Sequence, residues 1–151
     1  MTGLRTLALA IIAASGTALA ETAPSEVVFA DGAIATPLTE TPGDPVTGRA
    51  AFAARKLGNC LACHQNADLA AEELFHGEVG PPLDGVGARW STAELRAIVV
   101  NSKQVFGDYT IMPAFYRDSG FNRPLKDFEG KTILSAQQVE DIVAYLRTLT
   151  E

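Results

Sequence analysis

The sequence predicts an all-α domain, and three observations carry that reading. Ser91-x-x-Glu94 and Ser135-x-x-Gln138 each have the form of a capping box at a helix N-terminus, and each is followed by apolar residues at helical spacing. Asp44-Pro45 marks a further helix start, since aspartate caps N-termini and proline suits the first helical position. Cys60, Cys63 and His64 stand at i, i+3 and i+4, so in a helical turn all three side chains leave from one face. No convincing alternating strand pattern and no internal repeat competes with these signals.

Residues 1–20 read as a cleaved signal peptide rather than as part of the fold. Arg5 supplies a positive n-region, Leu7 to Ala14 an apolar h-region, and Ala18-Leu19-Ala20 a small-residue cleavage site. The segment is short for a membrane span, the alternative being a retained anchor. The mature chain is expected to start near Glu21, to be exported to the periplasm, and to have no membrane attachment. Residues 21–43 form an N-terminal arm rich in Thr, Pro, Glu and Gly. Val27, Val28, Phe29, Ile34 and Leu38 are too apolar for a purely solvated tail, so the arm is expected to pack on the domain or contact a partner. The domain proper is expected over residues 44–151.

Within it, the first helix is expected from the Asp44 cap to about Leu57, with Gly58 ending it. Gly48 and Phe52 share one face. A glycine inside a helix costs about 1 kcal/mol against alanine, which predicts a second helix approaching closely at Gly48. A short helix is expected over Ala67 to Phe75. The helix opening at Ser91 has Trp90 placed to staple onto Leu95, with Leu95, Ile98 and Val99 as its buried stripe. The last helix repeats the device with Leu134 and Val139, and then Ile142, Val143 and Leu146 continue the stripe.

Cys60-Leu61-Ala62-Cys63-His64 is the attachment signature of a c-type haem. Two thiols at this separation can add to the two vinyl edges of a porphyrin, and the next imidazole lies beneath the iron as a metal ligand. A zinc site would need four well-disposed ligands, and only His76 remains as a further nitrogen. A redox-active Cys-x-x-Cys would want a βαβ context, and no clear strand precedes Cys60. Both cysteines belong to this motif, so no disulfide framework remains. One covalent haem c is the expected cofactor.

A six-coordinate haem needs a second axial ligand. With Met1 removed, Met112 is the sole methionine of the mature chain, and its distance from His64 lets the chain return on the opposite porphyrin face. His/Met ligation is a known pattern for such haems. His76 is the rival, but it follows His64 by only twelve positions. Gly80-Pro81-Pro82-Leu83 reads as a rigid turn, and the Pro81 carbonyl is the candidate acceptor for the His64 Nδ1–H. Trp90 and Arg89 are candidates for the haem propionates. Trp90 serves equally as a helix staple, and Arg89 equally as a solvated surface charge.

The 151 residues carry a formal charge of −6, and loss of Arg5 with the leader makes the mature chain one unit more acidic. An acidic chain without a basic cluster argues against nucleic acid and anionic membranes, and favours docking to a protein with a positive face. No nucleophile is left once Cys60 and Cys63 are used, so no catalytic residue is assigned.

Taken together, the chain resembles a class I cytochrome c over most of its mature length. The order is the Gly48/Phe52 helix, Cys60-x-x-Cys63-His64, Gly80-Pro81-x-Leu83, a central helix, a Met112-Pro113 loop and a terminal helix with Ala144-Tyr145-Leu146. The resemblance implies a fold of helices packed around one covalently bound haem. It also implies that the first and last helices cross closely, bringing Gly48 and Phe52 against Ile142 and Tyr145. Gly58-Asn59 with the haem motif, Gly80 to Leu83, Met112-Pro113-Ala114-Phe115-Tyr116, Leu38 to Asp44 and the Ser135 to Leu149 helix are similar to one branch, the SoxX cytochromes of the SoxAX complex of bacterial sulfur oxidation.

That resemblance implies an electron-transfer subunit of a thiosulfotransferase complex. The complex couples thiosulfate oxidatively to a carrier-protein cysteine, with the bond-forming site in a SoxA-like dihaem or monohaem cytochrome subunit. This chain would accept the electrons and pass them to a small soluble cytochrome c. The alternatives are a free-standing periplasmic electron shuttle and a thiol–disulfide oxidoreductase using Cys60 and Cys63.

Overall fold

Four helices make the frame: α1 (Pro45–Ala53), α2 (Val86–Arg89), α3 (Thr92–Phe106) and α4 (Ala136–Thr148). The computed structural model describes residues 21–151, and the signal peptide expected over residues 1–20 lies outside the described residues. Among the described residues there is no β-strand, only the isolated bridges Glu21–Thr39 and Ala30–Ala33. No helix among them is long and apolar enough to cross a membrane. The fold is all-α.

The helix starts follow the local signals. Asp44 accepts the Thr47 amide at 2.6 Å, and Pro45 is the first residue of α1. Ser91 with Glu94, and Ser135 with Gln138, form reciprocal capping boxes on α3 and α4. Each box satisfies amides that a helix start would otherwise leave unpaired.

Helix α4 is the hub. Val139, Ile142, Val143, Tyr145 and Leu146 are all buried. A side chain at Gly48 would run into the Asp141 carbonyl, so glycine is what lets α1 cross α4 at backbone contact. Phe52 then meets Tyr145 edge-to-face, with ring centroids 5.5 Å apart. Gly87 does the same for α2, because a Cβ there would sit 2.7 Å from the Leu146 carbonyl. The glycine at position 48 therefore marks a helix crossing, as its helical cost suggests.

Two helices are shorter than the sequence indicates. Helix α1 stops at Ala53 because Ala54 turns extended, and the Leu57 and Asn59 amides both bond to the Ala54 carbonyl as the chain bends towards Cys60. The helix expected over Ala67 to Phe75 is only a 3₁₀ turn, Ala67–Leu69. Its later residues have no apolar face to bury: Leu74 is 97% and Phe75 67% exposed. In the other direction, α2 has too few residues to show a periodicity.

The arm is fastened to its own domain. Ile34 and Leu38 are core residues, while Val27 and Phe29 pack partly buried against that core. Only Val28 of the arm's large apolar residues stays exposed. A buried ion pair does the fastening. Glu140 takes Arg96 Nε at 2.7 Å, Arg96 Nη2 at 2.9 Å and the Leu38 amide at 2.8 Å. Arg96 Nη1 in turn donates to the Ile34 carbonyl at 2.8 Å.

Candidate functional site

The pentapeptide forms one tight turn. Asn59 enters it in the left-handed conformation (φ 49°, ψ 39°), and Cys60–Ala62 make a 3₁₀ turn. The Cys63 and His64 amides both bond to the Cys60 carbonyl, at 3.1 and 3.0 Å. Gly58 makes room for the first thiol, since a Cβ there would lie 2.9 Å from Cys60 Sγ. Both thiols are free, not joined as a disulfide. Burial pushes the Cys60 thiol up to about 12, with the neighbouring Cys63 adding a smaller push in the same direction. Among the described residues no strand leads into Cys60, so the βαβ setting expected of a redox-active Cys-x-x-Cys is not found there. No three of His, Cys, Asp or Glu among the described residues gather where they could hold a metal ion.

His64 is oriented from behind. Its Nδ1 lies 2.7 Å from the Pro81 carbonyl oxygen. A carbonyl can only accept, so Nδ1 carries the proton and Nε2 keeps its lone pair for a metal. Gly80 lies flat against the ring, where any Cβ would overlap it. The loop is stitched to the motif by the Gly77 amide to the Leu61 carbonyl at 2.8 Å and the Gly80 amide to the Cys63 carbonyl at 2.7 Å. Arg89 braces the same loop: Nη1 donates to the Asp84 carbonyl at 2.6 Å and Nη2 to the Pro82 carbonyl at 3.3 Å. Its observed partners are thus main-chain oxygens beside Pro81. Trp90 is half-buried against the core and meets Phe106 edge-on, 6.1 Å between centroids.

Met112 is half-buried and packs against the core. Its carbonyl accepts Ser102 Oγ and Lys103 Nζ, each at 2.8 Å. The His76 ring is held beside the motif itself, with Nδ1 accepting the Asn66 amide at 3.3 Å. Its Nε2 is buried without a partner.

A polar network behind the motif was not legible in the sequence. Asn66, fully buried, donates to the Tyr145 hydroxyl at 2.8 Å. That hydroxyl donates to Asp68 at 2.8 Å, and Asp68 also receives Arg49 Nε at 2.8 Å. Burial, and then the bond to Asp68, raise the Tyr145 hydroxyl above its ordinary range. The bonds from Arg49 and Tyr145 lower Asp68. The network ties α1 and α4 to the segment leaving His64. These are scattered single polar residues, and no spacing rule links them.

Two free thiols on one turn, an imidazole of fixed tautomer and a glycine cradle behind it suit a covalent haem. Residues 46–150 match the family model for cytochrome c. The chain belongs to the cytochrome c family, and its cofactor is a covalently bound haem c. Among solved structures it is similar to the crystal structure of SoxXA from P. pantotrophus, with 50% identity over 87% of this chain and 99% of that one, at a TM-score of 0.80. Within the family the chain thus falls in the SoxX branch that its motifs resemble. No curated protein sequence matches it.

Proposed function

We propose that this chain is the electron-transfer subunit of a periplasmic SoxAX-type heterodimer, carrying a single haem c. Cys60 and Cys63 would hold the porphyrin, and His64 and Met112 would be the axial ligands. The observation that carries this reading is the 2.7 Å contact between His64 Nδ1 and the Pro81 carbonyl, which leaves Nε2 as the nitrogen available to a metal. Bound there, haem iron supplies a one-electron couple whose potential a methionine ligand raises.

The chain's own residues account for the rest. The Pro81 carbonyl strengthens His64 as a donor, while Gly80 and the Arg89-braced loop fix the ring plane. His76 is an unsuitable second ligand, because Asn66 holds it on the segment that leaves the motif. Two ligands from the protein leave no place for substrate, so we assign the thiosulfate-coupling step to the partner subunit and outward transfer to a soluble cytochrome c. The partnership draws support from Leu74, Phe75 and Val79. These are largely exposed on the loop stitched to the haem motif, and exposed apolar residues of this kind suit a protein contact.

Native purification tests the proposal. The chain should elute with a second haem protein, and its own pigment should survive acid and organic extraction. A pigmented monomer eluting alone would favour the free-standing shuttle, and extractable pigment would end the covalent reading.

A further inference from the structure

Helix α3 is broken at one residue. Asn101 is extended (φ −157°, ψ 91°) within an otherwise helical run. Its side-chain oxygen accepts the Lys103 amide at 3.2 Å, so it caps the final turn as though a new helix began there. Such a break in an uninterrupted helix needs a cause, and neither proline nor glycine supplies one here.

The segment from Met112 to Tyr116 docks on this break at both ends. On the near side, the carbonyls of Val99 and Val100 accept the amides of Phe115 and Tyr116, at 3.4 and 3.1 Å. On the far side, the buried Ser102 Oγ and Lys103 Nζ each donate to the Met112 carbonyl at 2.8 Å. Lys103 Nζ also reaches the Thr110 carbonyl at 3.1 Å. Pro113 follows and restricts the Met112 backbone to extended conformations. Two donors, one of them charged, therefore converge on the single carbonyl of the residue that must present its thioether.

We propose that the break in α3 is a clamp, in which Ser102 and Lys103 act as positioning residues that hold Met112 on the haem iron. The proposal rests on Met112 being the axial ligand. The clamp accounts for how a ligand on a loop stays seated. Displacing its sulfur requires moving a backbone that is tied to a helix at both ends. Both clamp residues act through the Met112 carbonyl.

The test uses the loaded, full-length protein in its ferric state with cyanide as the probe. Met112→Ala is recorded first: loss of the weak far-red sulfur-to-iron band supports the ligand reading, and an unchanged band overturns that reading and the clamp with it. Next come Ser102→Ala, Lys103→Leu and the double variant, with Lys103→Arg as the conservative control. Displacement of the sulfur by cyanide should be about tenfold faster in Lys103→Leu, the effect expected of one lost charge-assisted hydrogen bond. It should be faster again in the double variant and near the parent rate in Lys103→Arg. Cyanide binding at the parent rate in the double variant, while Met112→Ala has lost its band, would overturn the clamp alone. Lys103→Arg as fast as Lys103→Leu would overturn it too.

Discussion

Removing the Glu140 carboxylate should unfasten the arm and cost a large share of the protein's stability. In Glu140→Ala three hydrogen bonds vanish together: two from Arg96 and one from the Leu38 amide. The side chains of Arg96 and Glu140 are only 5% and 6% exposed, so water cannot replace the lost partner. Breaking such a buried pair from one side costs about 3–5 kcal/mol, because the remaining charge stays buried and unpaired. A domain of this size has about 5–15 kcal/mol in total. At about 4 °C per kcal/mol for a domain of this size, the melting temperature should fall by about 12–20 °C. The assay is urea unfolding of the haem-loaded protein, paired with limited proteolysis of residues 21–43. Cleavage there should accelerate more than cleavage elsewhere, because Ile34 and Leu38 lose their tether. Arg96→Leu combined with Glu140→Leu should cost less than the two single changes added together, since no lone charge then remains. A Glu140→Ala protein within about 1 kcal/mol of its parent, with the arm still protected, would refute the fastening role.

Gly48→Ala should destabilise by about 1–3 kcal/mol through overpacking, despite alanine's better helix propensity. The Cβ meets main chain that cannot rotate away, and an unfolding midpoint at or above the parent's would contradict the crossing argument. Cys60→Ser should leave the haem held by one thioether, which intact mass and acid extraction would reveal; attachment identical to the parent's would count against Cys60. The Tyr145 hydroxyl is raised, so its contribution is fully present below the ordinary tyrosine range near about 10 and is lost as pH rises through the raised value. Asp68 is lowered, so its contribution is present above the ordinary carboxylate range and is lost as pH falls through the lowered value. Melting profiles of Tyr145→Phe and Asp68→Asn should flatten on the alkaline and acid limbs respectively, and unaltered slopes would exclude the two groups.

What was legible beforehand was mostly local. Asp44, Ser91 and Ser135 announce helix starts because a cap reads only three residues ahead. Gly48 announced a crossing because its helical cost requires a compensation, and Phe52 against Tyr145 followed from the resemblance. The Pro81 turn could be assigned a carbonyl role because imidazole chemistry requires an acceptor there. The failures have the opposite character. The helix expected over Ala67 to Phe75 lacked a surface to pack on, and propensity alone could not reveal that. The Arg96–Glu140 pair joins residues 44 apart in sequence, and the break at Asn101 exists for the sake of a loop that follows it. Such features belong to the assembled molecule and have no signature in a short window.

The position of α4 has a consequence for how the molecule is made. Gly48, Phe52, Gly87 and the arm all lean on this element, and it is the last helix in the chain. Cys60 and Cys63 precede that element in the sequence, so a chain without α4 would keep both attachment points and lose the surface on which α1 and α2 pack. Truncation before Ala136 would therefore spare the attachment chemistry and dismantle its support.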